Sequence, residues 1–131
     1  MYSYDIEAVN NFLRRNVDEV KRRHVAPFQP KLFLDFSPAT RRTTAAICNW
    51  IADRGMWFAC EVPIVGRKRR ADIICPELLE TEVIEIYDSE TMESIIAKTG
   101  DYVGAGITII AVPADPDLAV KMIADANGVP T

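Results

Sequence analysis

Apolar residues recur at helical spacing in the first part of the chain and predict two helices there. The first prediction is an amphipathic helix over residues 4–24, which Pro27 ends because proline cannot continue a helix. Its apolar positions are Ile6, Val9, Phe12, Leu13, Val17 and Val20. The second covers residues 38–54, opened by an N-cap serine and a proline (Ser37-Pro38) and closed by Gly55.

The pattern then changes to short runs of β-branched and aromatic residues, which predict strands. Strands are expected over residues 56–65, 71–75, 83–87 and 107–112. The first two form a hairpin around a turn at Gly66–Arg69. A helix from residue 88 or 89 to 103 separates the last two strands, and a final helix runs from Asp115-Pro116 to Gly128.

This order, α-α-β-β-β-α-β-α, predicts an α/β fold: a mixed β-sheet of about four strands flanked by helices on both faces. A chain of 131 residues has the length of one domain. We therefore expect a single domain over 1–131, with an N-terminal helix and connector in residues 1–36 and the core in 37–128.

The composition predicts a globular protein of the cytoplasm. No apolar run reaches the roughly 20 residues that a membrane span requires, and the first residues lack the pattern of a signal peptide. We expect no membrane partner. Cys48, Cys60 and Cys75 lie in apolar stretches and are expected to be buried free thiols. Zinc is not expected, since His24 is the sole histidine.

Charge is distributed unevenly between the two halves of the chain. Residues 1–70 hold 13 of the 15 Lys and Arg against 7 acids, whereas residues 71–131 hold 2 basic residues against 12 acids. A basic surface beside an acidic centre suits a protein that holds a phosphate backbone near a divalent cation. The alternative is a soluble domain with solvated charged helices.

Two carboxylates stand within short apolar strands, Asp72 in Arg70–Ile74 and Glu85 in Val83–Tyr87. An acid is costly to bury unless it is paired or binds a metal. On neighbouring strands, the two side chains could share Mg²⁺ or Mn²⁺, which prefer oxygen ligands. The alternative is that one or both point to solvent from a half-exposed strand.

These stretches resemble the PD-(D/E)xK (restriction-endonuclease-like) nucleases, which include restriction enzymes and archaeal Holliday junction resolvases. The resemblance spans about residues 38–126 and rests on the element order, on Arg70–Ile74, on Val83–Glu90 and on the following helix with Lys98 and Tyr102. It implies a restriction-endonuclease-like fold and a metal-dependent nuclease that hydrolyses phosphodiester bonds of DNA, or of RNA. It also implies a homodimer, because cutting two strands takes two sites.

Carried over to this chain, the resemblance assigns metal ligation to Asp72, to Glu85 and to the backbone carbonyl of Ile86, with Glu61 as an accessory ligand. The family's lysine, two residues after the glutamate, is Tyr87 here, and a neutral phenol cannot supply the lysine's charge. Two hypotheses follow: Lys98 has taken over the catalytic role, or the chain is a degenerate module that binds nucleic acid without cutting it.

Nucleic-acid contacts are predicted for the basic hairpin turn immediately before Asp72 and for two arginines near a helix N-terminus. These residues are Arg67, Lys68, Arg69, Arg70, Arg41 and Arg42. The second helix has Asn49 and Asp53 where many resolvases have a glutamate, which weakens a resolvase assignment. A third hypothesis is a protein-interaction module that uses the acidic half.

Overall fold

Five helices and four strands form the part of the chain that the computed structural model describes, residues 4–131. In chain order they are α1 (Ile6–Asn16), α2 (Glu19–Arg22), α3 (Pro38–Asp53), β1 (Ala59–Pro63), β2 (Arg70–Ile74), β3 (Val83–Tyr87), α4 (Met92–Gly104), β4 (Ile109–Pro113) and α5 (Pro116–Asn127).

The four strands form one mixed sheet in the order β1-β2-β3-β4. The hairpin of β1 and β2 is antiparallel, β2 and β3 are antiparallel, and β3 and β4 are parallel with α4 as the crossover. The predicted α/β class and mixed four-stranded sheet are confirmed.

Helices cover the sheet on both faces, so the molecule has two apolar cores. On one face, α3 and α5 pack on the sheet through residues that include Ile47, Ile51 and Ile123. On the other face, Phe12 of α1 and Tyr102 of α4 pack on the sheet. Burying an Ile or Phe side chain contributes roughly 1.5–3 kcal/mol, so the two cores fix the helices on the sheet. Within residues 4–131 no helix is long and apolar enough to cross a membrane.

The N-terminal helical segment differs from the prediction, because the helix expected over residues 4–24 is broken at Val17. Val17 has an extended backbone (φ −126°, ψ 132°) and is 1% exposed. The chain then restarts as the short helix α2. The break lets Val17 enter the core, and Val65 donates its N–H to the carbonyl of Asn16 across it.

Arg22 stabilises this break by binding carbonyls at the end of α1. Its Nε donates to the carbonyls of Val17 (2.8 Å) and Leu13 (3.1 Å), and its Nη2 donates to that of Arg14 (2.9 Å). The last carbonyls of a helix lack some or all of their partners within it, so a side chain that binds there acts as a cap. Of the three carbonyls, that of Leu13 also accepts the N–H of Val17.

Three other elements begin later than the sequence pattern predicts. Strand β1, expected over residues 56–65, covers only Ala59–Pro63. Helix α4 starts after Thr91, whose hydroxyl accepts the N–H of Ser94, because Glu90 binds the N–H of Asp88 and holds a turn there. Strand β4 starts at Ile109, since the N–H of Ile107 still bonds to the carbonyl of Tyr102 at the end of α4.

We expect Arg22→Ala to lower the free energy of unfolding by about 1–2 kcal/mol, because three carbonyls lose charged donors. Urea denaturation followed by circular dichroism measures this. The matched control is Arg23→Ala, whose exposed side chain has a single 3.3 Å bond to Val20. Equal losses in the two variants would contradict the capping role.

Candidate active site

Strands β2 and β3 separate at the two carboxylates that the sequence singled out. Their backbone pairing is limited to Ile73 with Ile84 and Ile74 with Val83. Beyond it, side chains bridge the strands: the N–H of Asp72 donates to Glu85 Oε2 (3.2 Å), and the N–H of Ile86 donates to Asp72 Oδ2 (2.8 Å). Each carboxylate therefore takes the place of a carbonyl in the ladder, and the gap between the strands holds both of them.

Burial and mutual proximity keep Glu85 protonated. Burial first, and then the hydrogen bond and charge of Asp72, raise the pKa of Glu85 to about 9. At neutral pH the Glu85 carboxyl therefore keeps its proton.

Tyr102 of α4 anchors the other oxygen of Glu85. Its hydroxyl donates to Glu85 Oε1 at 3.2 Å, and burial together with the charge and hydrogen bond of Glu85 raises the pKa of Tyr102. The phenol therefore stays protonated and remains a donor. Glu85 is thus fixed from both sides, by β2 and by α4.

Glu61 of β1 faces the same region from the next strand. The register is continuous from Cys60–Ile73 to Val62–Ala71, which places Glu61 opposite Asp72. Its φ of +53° is rare for a residue other than glycine and costs on the order of 1–3 kcal/mol. Burial and the negative charge of Asp72 raise the pKa of Glu61. A strained backbone thus presents a third carboxyl to the site.

The donor set fits a hard divalent cation held by few protein ligands. Within residues 4–131 no group of three or more His, Cys, Asp or Glu side chains is arranged to hold a metal ion. Mg²⁺ is commonly held by one or two carboxylates, with waters and substrate phosphates completing the shell. The N–H and C=O of a strand residue point to the same side, so the Ile86 carbonyl also faces the gap. Asp72, Glu85 and this carbonyl are the residues that would hold the ion.

A cleft of about 900 Å³ opens over the carboxylate pair. Its lining contains seven acidic side chains, six basic side chains that we call the basic rim, and hydroxyl groups near the N-terminal ends of α3 and α4. The basic side chains are those of Lys31, Arg67, Lys68, Arg69, Arg70 and Lys98, and the hydroxyls are those of Ser37, Thr40, Ser89 and Ser94.

Arg67 combines a fixed position with an unused donor. Its Nη1 donates to the carbonyl of Asp101 at 2.7 Å and lies 3.8 Å from Asp101 Oδ1. Its Nε is buried and has no hydrogen-bond partner within residues 4–131. A buried donor without a partner costs about 1–3 kcal/mol.

Of the remaining predicted site residues, some line the cleft and others do not. Lys98 lines the cleft, where its Nζ lies 3.4 Å from Glu90 Oε1. Tyr87 does not line the cleft. Arg41 is used within the fold, since its guanidinium donates to the carbonyls of Leu34 and Phe36. Arg42 is exposed outside the cleft.

Two contributors to the site were not assigned roles from the sequence. Tyr102 lies four residues after Lys98, so helical spacing puts both on one side of α4. That spacing could have indicated that Tyr102 faces the same site as Lys98. Lys31 lies in a connector without periodicity, and only the folded chain brings it to the cleft. The three cysteines are buried free thiols, as predicted.

In comparisons with protein-family models, curated protein sequences and solved structures, nothing matches this chain. The function is therefore argued from the geometry of the site.

We expect the stability of the protein to fall as pH rises from about 4.5 to about 9, because native Glu85 keeps a proton that the unfolded chain releases. Glu85→Gln removes this term and retains the oxygen that Tyr102 binds. At pH 8, without divalent cations, the variant should be more stable by on the order of 3 kcal/mol, and near pH 4.5 the two should converge.

Urea denaturation at several pH values measures this difference, with Glu80→Gln as the control because Glu80 is exposed. If the free energy of unfolding changed with pH in the same way in the wild type and in Glu85→Gln, the native carboxyl would be ionised, contrary to its raised pKa.

Proposed function

We propose that this chain is a divalent-metal-dependent nuclease of the PD-(D/E)xK, restriction-endonuclease-like type, which hydrolyses phosphodiester bonds of DNA. The observation that carries the proposal is the Asp72–Glu85 pair, fixed in the gap between β2 and β3 beneath a cleft with a basic rim. The order of strands and helices and the resemblance around both acids agree with it.

The proposed cofactor is Mg²⁺ or Mn²⁺, held by Asp72, Glu85 and the Ile86 carbonyl, with Glu61 near enough to bind an outer water. When bound, such an ion polarises the phosphodiester and lowers the pKa of an attacking water. For the protein, binding means that Glu85 gives up its proton. Tyr102 and the two backbone N–H groups keep the carboxylates in place during that exchange.

The basic rim would hold the substrate. The Arg67 guanidinium would attract a phosphate by its charge, and Lys68 to Arg70 continue the positive surface along the hairpin turn. Lys98 lies in the same cleft and, in place of the family's lysine, would stabilise charge on the phosphate or orient water. Its ion pair with Glu90 holds the ammonium in position while leaving other N–H bonds free.

A second candidate function is nucleic-acid binding without cleavage, and Tyr87 at the lysine position favours it. In that case the basic rim is retained and the charge required for chemistry is lost. The two functions differ in their dependence on the acids: binding through the rim survives neutralisation of Asp72, whereas cleavage does not.

We expect Mg²⁺- or Mn²⁺-dependent cutting of labelled DNA by the wild type and its loss, by at least about 100-fold, in Asp72→Asn, because one of two anionic ligands disappears. Single-stranded, duplex and four-way-junction DNA and single-stranded RNA, each with and without EDTA, define the substrate.

Lys98→Met should reduce the rate by about 100-fold or more if Lys98 acts on phosphate or water. Its matched control is Lys121→Met, since Lys121 is ion-paired with Asp125 on α5. Cutting that persists unchanged in Asp72→Asn would contradict the nuclease. Salt-sensitive binding without cutting would establish the binding module.

We also expect each bound cation to release about one proton at pH 7, because Glu85, whose pKa is about 9, must ionise to bind it. Affinity should rise by up to about tenfold per pH unit as pH approaches 9. Calorimetry with Mn²⁺ in buffers of different ionisation enthalpy measures the released proton. Glu85→Gln should bind weakly and without proton release, and release equal to that of the wild type would contradict the assignment.

A further inference from the structure

Strand β4 is an edge of the sheet, and its outer side is unpaired within residues 4–131. The carbonyl of Thr108 accepts the N–H of Val83, and the N–H of Ala114 donates to the carbonyl of Tyr87. Because alternate residues of a strand face the same neighbour, the even-numbered residues of β4 bond to β3. The N–H and C=O groups of Ile109 and Ala111 therefore point away from the sheet.

This edge lacks the features that usually prevent strands from associating. Natural edges carry lysines, inward charges or bulges. Residues 107–114 contain no charged residue, and Ile109, Ile110 and Ala111 are only half-buried although they are apolar. Pro113 alone removes a donor, at the last position of the strand. The edge is left open over its middle residues.

Helix α4 adds an exposed apolar stripe on the same side of the molecule. Ser94, Ala97 and Lys98 of α4 line the cleft, which lies over β2 and β3. At 100° per residue, the opposite side of the helix carries Met92, Ile96 and Val103, which are 66%, 62% and 65% exposed. Since α4 packs against β4 and its other side lines the cleft over β2 and β3, the apolar stripe faces the β4 side of the sheet.

We propose that a second copy of this chain covers this surface, with the two β4 strands antiparallel about a two-fold axis at Ile110. Ile109 then faces Ala111 of the second copy, and Ala111 faces Ile109. This register makes four N–H···O=C bonds and uses both outward donors of each strand. The axis is perpendicular to the sheet, so the two α4 helices lie on one face and their apolar stripes meet.

Self-complementarity is what selects a second copy over another partner. The free donors lie symmetrically on either side of Ile110, as an isologous interface requires. The stripe of Met92, Ile96 and Val103 is uncharged, so two copies can meet there although each chain carries a net charge of −4. The dimer would have one eight-stranded sheet, with the two carboxylate pairs about 20 Å apart at a spacing of 4.8 Å per strand.

The test is the mass of the protein in solution, measured by light scattering during size-exclusion chromatography over roughly 1–100 µM. The wild type should have twice the 14.7 kDa of one chain. Ile96→Glu and Val103→Glu should each weaken association by at least about tenfold, because they bury an unpaired charge in the interface. Leu34→Glu is the control, since Leu34 is 92% exposed outside this surface. None of these readouts depends on nuclease activity.

Amide hydrogen exchange tests the strand pairing itself. In the wild type the amides of Ile109 and Ala111 should exchange slowly, and in Ile96→Glu they should become fast while Ile110 and Val112 stay protected by β3. A monomeric wild type at the highest concentration, higher open-ended aggregates, or a dimer in which Ile109 and Ala111 exchange rapidly would each overturn the proposal.

Discussion

The structure depends on how two acids are accommodated where β2 and β3 separate. Two carboxylates in an apolar sheet repel one another and lose hydration, a combination that is unfavourable unless hydrogen bonds and protonation compensate. Here the N–H groups of Asp72 and Ile86, the Tyr102 hydroxyl and the proton on Glu85 provide the compensation. The acids replace ladder partners, so the strands must diverge, and that divergence forms the floor of the cleft.

The parts of this arrangement that depend on local sequence could be predicted. The change from helical to strand periodicity gives the order of the larger elements, and an acid flanked by apolar residues on both sides marks Asp72 and Glu85 as exceptional. Capping residues also locate the starts of α3 and α5, because Ser37 and Asp115 accept N–H groups of the first turn of each helix. Each of these signals lies within a few residues of the feature that it predicts.

Features decided by distant parts of the chain could not be predicted. The break at Val17 depends on a core position for that side chain and on Arg22, which caps α1 from the next helix. Arg41 looks like a phosphate ligand in the sequence, yet its guanidinium binds carbonyls of the preceding loop. Glu61 reaches the site through a left-handed backbone conformation, which a glutamate in a strand does not predict.

The partners of the two acids support the proposal that the site binds a cation. A buried acid with a structural role is commonly paired with an arginine or lysine of its own chain. Within residues 4–131 no Lys or Arg forms an ion pair with Asp72 or Glu85, although six basic side chains line the same cleft. The acids are instead held by neutral donors, which fix their positions without neutralising both charges. In the free protein a proton on Glu85 reduces the negative charge of the pair. A divalent cation could do the same when phosphate is bound at the rim.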